Sequence, residues 1–203
     1  MLATAVAQAA KPTPHHLSIS AHPAKVLYGR SVAITGRLTG TNSAGKVVTL
    51  QRDAFPFDTL KNDGTTHTNT LGYYAFHRTP LVNTKFRAKA KSKAPATSAT
   101  VLVLVAPKVT LHVSDRTPKK GHRVRFYGRV TPQHDGQFVK LQRRKRSGHW
   151  RTVAIVPLTD AGPAFSNYSV KRRIKRNGTF RVLKPKDADH TRGKSRKRRL
   201  RVH

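Results

Sequence analysis

The side chains able to do chemistry in this chain of 203 residues are few. There are eleven histidines and eight aspartates, with no glutamate and no cysteine. Zinc needs three or four ligands in tetrahedral reach, usually spaced His-x3–5-His or Cys-x2-Cys. His15 and His16 are adjacent in a Pro-rich stretch, and His67, His77, His122, His134, His149 and His190 fall at scattered turn or strand-edge positions. These read as solvated surface histidines, and neither a metal nor another cofactor is expected. Asp53, Asp58 and Asp63 stand five apart, whereas a calcium loop places its ligands on alternate positions. Asp115, Asp135 and Asp160 lie beside turn glycines or prolines, where Asx turns account for them. Glycosidase chemistry would need two convergent carboxylates. The nucleophile elbow, the P-loop and the dinucleotide fingerprint are all absent. The expectation is a protein that is not an enzyme and has no small-molecule substrate.

The abundant chemistry is cationic. Lys and Arg total 41, for a formal charge of +33. Residues 1–106 hold 13 of them against 3 Asp, net +10, and residues 107–203 hold 28 against 5 Asp, net +23. Arg123, Arg125 and Arg129 alternate with apolar residues along one strand pattern, and Lys140 lies on the outward side of the next. The clusters Arg143, Arg144, Lys145, Arg146 and Lys171, Arg172, Arg173, Lys175, Arg176 follow, then a run from Lys194 to Arg201. Three readings stay open: a solvated surface, a face that binds anionic polymers, and a dedicated nucleic-acid-binding protein. A field of this size attracts wall polymers, anionic glycans and nucleic acid without sequence recognition. For the second reading, Arg123, Arg125, Arg129 and Lys140 are expected to share one face if their two strands pair, extended by the two clusters.

The elements that must carry these residues appear twice. "YGRSVAITGRLTG" (28–40) returns as "KGHRVRFYGRVTP" (120–132), and "AGKVVTLQR" (44–52) as "DGQFVKLQR" (135–143). "LGYYAF" (71–76) corresponds to "FSNYSV" (165–170), "TKFRA" (84–88) to "TFRV" (179–182), and "TVLVLV" (100–105) to "RRLRV" (198–202). The offset drifts from 92 to 94 and then by a few more, as loop insertions would produce. Val32, Ile34 and Leu38, like Val124, Phe126 and Val130, alternate with polar residues at the period of a half-buried strand. Gly36 and Gly128 interrupt the two copies, predicting a bulge or a close backbone approach. About seven short strands per copy predict an all-β protein of two tandem immunoglobulin-like β-sandwich domains, residues 15–106 and 107–203. Tyr74, Phe76, Phe86 and Phe180 fall on the inward side, and Trp150 reads as a core or corner residue.

The order "YG…V.I.G.L", "G..V.LQR", "G.Y.F…P", "T.FRA" and "V.V.V" resembles the immunoglobulin-like repeats of secreted and cell-wall proteins in high-GC Gram-positive bacteria. The resemblance covers about residues 15–203, and its second copy has no clean "G.Y.F…P" segment. It implies a non-catalytic stalk, spacer or adhesion unit at the cell surface or in the medium, with no catalytic residues to carry over. The alternative class is an intracellular nucleic-acid-binding protein using the basic second copy. Residues 1–14, with Ala-x-Ala patterns at 3–5 and 7–9 of "MLATAVAQAAKP", read as a signal-peptide remnant or a leader, and no segment is apolar and long enough to span a membrane.

Overall fold

The computed structural model describes residues 13–91 and 95–203, so the leader segment lies largely outside the described residues. Alternating apolar residues, broken every few positions by Gly, Pro or Asp, produce strands and no helix among the described residues. The first half holds β1 (His16–Leu17), β2 (Ser20–His22), β3 (Lys25–Leu27), β4 (Val32–Thr39), β5 (Val47–Ala54), β6 (Lys61–His67), β7 (Tyr73–Arg78), β8 (Thr84–Ala90) and β9 (Ala96–Ala106). The second holds β10 (Lys108–Val109), β11 (His112–Val113), β12 (Arg123–Thr131), β13 (Phe138–Arg144), β14 (Trp150–Pro157), β15 (Thr159–Asp160), β16 (Ser166–Arg173), β17 (Gly178–Lys184), β18 (Gly193–Lys194) and β19 (Arg198–Leu200). The expected seven strands per copy become nine and ten because edge strands break into short pieces. Among the described residues no helix is long and apolar enough to cross a membrane.

In the first half, β1, β2 and β7 flank β4 in one sheet, and the other runs β3-β9-β8-β5-β6, with β3 parallel to β9. In the second half, β10, β11, β16 and β15 gather around β12, while β14-β13-β17 continues into β18 and β19. Every strand pair among the described residues falls on one side of Pro107. Each half closes on its own core. Ile34, Leu38, Val48, Leu50 and Phe86 fill the first, and Val124, Phe126, Leu141, Phe180 and Leu200 the second.

The duplication extends to buried polar devices. A Cβ on Gly36 would meet the Ser18 carbonyl at 2.1 Å and the Tyr74 hydroxyl at 2.4 Å; on Gly128 it would meet Thr110 O at 2.3 Å and Tyr168 OH at 2.8 Å. Only glycine lets a tyrosine ring cross the strand there. Tyr74 donates to Ser18 O at 2.6 Å, and Tyr168 donates to Thr110 O. Burial pushes both phenols well above their ordinary range. Arg87 donates to Gln51 Oε1 in one half, and Arg181 to Gln142 Oε1 in the other. Ser98 Oγ accepts from the Ala88 amide and Ser195 Oγ from that of Val182, both at 2.9 Å. Asn83 Oδ1 takes the Val105 amide, as Asn177 Oδ1 takes that of Val202.

The halves meet through the β17–β18 loop. Asn83 N donates to Asp189 O and Thr191 N to Val105 O, both at 2.8 Å. Lys25 reaches Arg192 O at 3.3 Å, and His190 Nε2 lies 2.9 Å from Leu81 O. Two histidines expected in solvent are here instead: His134 is 5% exposed and His190 2%. Their rings meet edge to face, with centroids 5.0 Å apart. The reason is tertiary, since the turn after β12 and the β17–β18 loop pack against each other and the first half lies against that loop. Lys184, 1% exposed, ion-pairs with Asp187 at 2.6 Å in the same cluster. Burial lowers His134 below its ordinary value. Burial alone would raise Asp187, but hydrogen bonds from Lys184 and the His190 amide, with a contact from Asp189, hold its carboxyl low. Of the turn aspartates, Asp115 and Asp160 accept from Thr117 N and Gly162 N as Asx turns do. Asp135 instead takes Ser166 Oγ at 2.5 Å.

Candidate polyanion-binding surface

The expected single basic face does not form. β12 pairs with β10, β11 and β16, whereas β13 pairs with β14 and β17 in the opposite sheet. Arg123, Arg125 and Arg129 therefore cannot share a face with Lys140. They sit across from Arg173, Lys171 and Asn167 of β16, so Lys171 and Arg173 join their surface, whereas Arg172 lies opposite the buried Val124. Arg123, Arg125, Arg129, Lys171, Arg172 and Arg173 are all exposed. Two of them lean on aromatic rings, Arg125 over Tyr127 at 4.4 Å and Arg129 over Phe165 at 4.3 Å. Lys140, half-buried, lies 5.9 Å from the centre of the Phe138 ring.

The other predicted cations converge on a different place. At one end of the second sandwich an open groove of about 1230 Å³ is lined by nine cations and no carboxylate. Arg143, Arg144, Lys145 and Arg146 come from the β13–β14 hairpin, with Arg151 on its far strand; Lys175 and Arg176 come from the β16–β17 turn. Lys120 and Arg199 complete it; Arg199 belongs to the basic run from Lys194 to Arg201, whereas Lys120 and Arg151 stand outside the clusters legible along the chain. Arg143 forms the floor, its Nη2 donating to Asn177 O at 2.6 Å while Nε is buried without a partner. Burial first, then the nearby Arg176 charge, lowers the Arg143 guanidinium from its ordinary value. Trp150 is half-buried beside this hairpin with the Arg181 guanidinium 4.0 Å over its ring, so it joins neither core cluster.

The first half has a counterpart. Matching Gln51 to Gln142 and Asn83 to Asn177 places a cleft of about 460 Å³ at the same corner, lined by Arg52, Lys61 and Arg78 but also by Asp53, Asp58 and Asp63. Asp63 holds Arg52 at 3.3 Å and Arg78 at 2.6 Å. That corner neutralises itself. The groove in the second half cannot, and its cations repel one another unless an anion enters.

Two antiparallel sheets close over one core in each half; in the first the edge strand is divided between them, β1 and β2 beside β4 and β3 parallel to β9, whereas in the second β10 and β11 both stay beside β12. The protein is all-β and consists of two tandem immunoglobulin-like β-sandwich domains. No family model matches the chain, and no curated protein does. Among solved structures, the crystal structure of bovine butyrophilin is similar at 12% identity and a TM-score of 0.46, over 89% of this chain and 97% of that one.

Proposed function

We propose that this is a non-catalytic, secreted or cell-surface spacer and adhesion module whose second domain holds an anionic polymer in the groove between the β13–β14 hairpin and the β16–β17 turn. The observation that carries this reading is the contrast between equivalent corners: nine cations with no carboxylate in one, cations interleaved with three aspartates in the other. Nine cations spread over an open groove favour phosphate or sulfate groups repeated along a chain over a single small ligand. Affinity then comes from additive charge contacts, so it falls with salt.

The test uses the full chain against heparin and a random-sequence DNA duplex at several salt concentrations. Replacing Lys145, Arg146, Lys175 and Arg176 by Ser should flatten the log–log salt slope on duplex by up to about 3.6, at about 0.9 per lost phosphate contact. No binding at physiological salt would return the charge to the role of a solvated surface. Tight duplex binding without heparin binding, joined to recovery only from the cytoplasm, would favour the intracellular nucleic-acid-binding alternative. Recovery from medium or cell wall supports the surface reading.

A further inference from the structure

The buried cluster at the domain joint has the chemistry of a metal site. His134, Asp187, Asp189 and His190 each offer a ligand atom, and all four atoms lie within 4.8 Å of one another. His134 Nδ1 is 2.7 Å from the Pro132 carbonyl and His190 Nε2 is 2.9 Å from the Leu81 carbonyl. A carbonyl can only accept, so each of those nitrogens carries the ring proton. That leaves His134 Nε2 and His190 Nδ1 as lone-pair nitrogens in the neutral rings.

Both lone-pair nitrogens are fully buried and have no hydrogen-bond partner. Each nevertheless faces a carboxylate oxygen at short range, His134 Nε2 to Asp187 Oδ2 at 3.3 Å and His190 Nδ1 to Asp189 Oδ2 at 3.1 Å. Two acceptors at that distance repel unless a cation lies between them. The separations are close to the edge of a tetrahedron with bonds of about 2.0–2.2 Å, roughly 3.4 Å. A metal-ligating histidine commonly donates its second ring N–H to a backbone carbonyl, which fixes tautomer and ring orientation. Here both do. Lys184 Nζ, 2.6 Å from Asp187 Oδ2, does not block the site, because a carboxylate oxygen has a second lone pair.

We propose that His134 Nε2, His190 Nδ1, Asp187 and Asp189 bind one divalent transition metal of the zinc class, and that this ion ties the β17–β18 loop into the joint between the domains. All four ligands belong to the second domain, and the Leu81 carbonyl of the first orients one of them. Loading therefore favours the docked arrangement over a loosened one. The joint carries a structural ion closed off by protein on most sides, in keeping with four protein ligands and no open position.

The experiment takes the full chain after chelator treatment and titrates it with Zn2+ by calorimetry and with Co2+ by visible absorption. One tight equivalent per chain, an intense four-coordinate Co2+ spectrum and a raised melting temperature are expected. His134→Gln and His190→Gln should each remove the tight equivalent. Asp189→Asn, which changes a partly exposed carboxylate and spares the core, should weaken it at least tenfold while circular dichroism stays unchanged. Imidazole nitrogen NMR of the metal-free chain at neutral pH should show Nδ1–H on His134 and Nε2–H on His190. Two doubly protonated rings would overturn the site, because the cluster would then be a set of ion pairs. A Zn2+ isotherm that neither histidine variant alters would overturn it too, leaving only scattered surface histidines as ligands.

Discussion

At the end of β5, Arg52 and Arg78 close on Asp63; at the matching end of β13, the cations from Arg143 to Arg146 face Lys175 and Arg176 with no carboxylate between them. The two corners share a frame, since Gln51, Arg87 and Asn83 reappear as Gln142, Arg181 and Asn177 with the same hydrogen bonds. They differ in what covers the turn. In the first domain the Leu81 carbonyl and Asn83 amide are occupied by His190 and Asp189 of the second. In the second domain the equivalent Lys175–Asn177 turn is exposed. The inward half of each repeat kept its hydrogen bonds because a buried polar group without a partner is costly. The outward half was free to diverge, and one copy became a docking ledge while the other became a basic groove.

The shared frame can be broken most severely at its glycines. Gly36→Val and Gly128→Val should each cost about 3 kcal/mol, as overpacking against a backbone carbonyl does. Urea midpoints should fall for both; tolerance at one position would end the equivalence of the two copies. The contrast in charge sharpens next. Arg144 stands where the first domain has Asp53, so Arg144→Asp should flatten the duplex salt slope by about 1 or more. Arg125→Ser, on the opposite sheet, should move it less. If Arg125→Ser had the larger effect, the binding face would be the β12–β16 surface.

A smaller effect is expected at the tyrosines. Tyr74→Phe and Tyr168→Phe each remove one donor from a buried carbonyl, costing about 1 kcal/mol by chemical denaturation. The smallest concerns pH and only the second domain's joint. His134, facing Lys184, Asp187 and His190, has its folded value below the ordinary 6.5. The unfolded chain then binds the proton first, so stability is complete above about pH 6.5 and declines as pH falls below it. Asp187 is also lowered from 3.8, so its contribution is present above that value and is lost as pH falls through its folded one. Amide exchange at Asn83 and Thr191 should rise over the first interval, before the cores open. Protection unchanged down to pH 4 would mean the joint does not depend on a neutral His134.

The duplication, the strand alternation, the glycines under Tyr74 and Tyr168 and the charge asymmetry were all legible along the chain. Each is a local regularity: a period of two, a repeated spacing, or a composition difference. The offset even marks the extra residues between Lys184 and Ser195, relative to Ala90 and Ser98, that hold Asp187, Asp189 and His190. The choice of sheet was not local. β12 and β13 follow one another in sequence yet lie in opposite sheets, because a sandwich must pass the chain across its core to cover both faces. That crossing separated Arg123, Arg125 and Arg129 from Lys140. The meeting of His134 with His190 likewise depended on the β17–β18 loop folding back over the turn after β12, with the Leu81 carbonyl of the first domain against His190. Sequence spacing determined what each strand buries; only the packing of sheets, loops and domains on one another decided which polar groups lost their water.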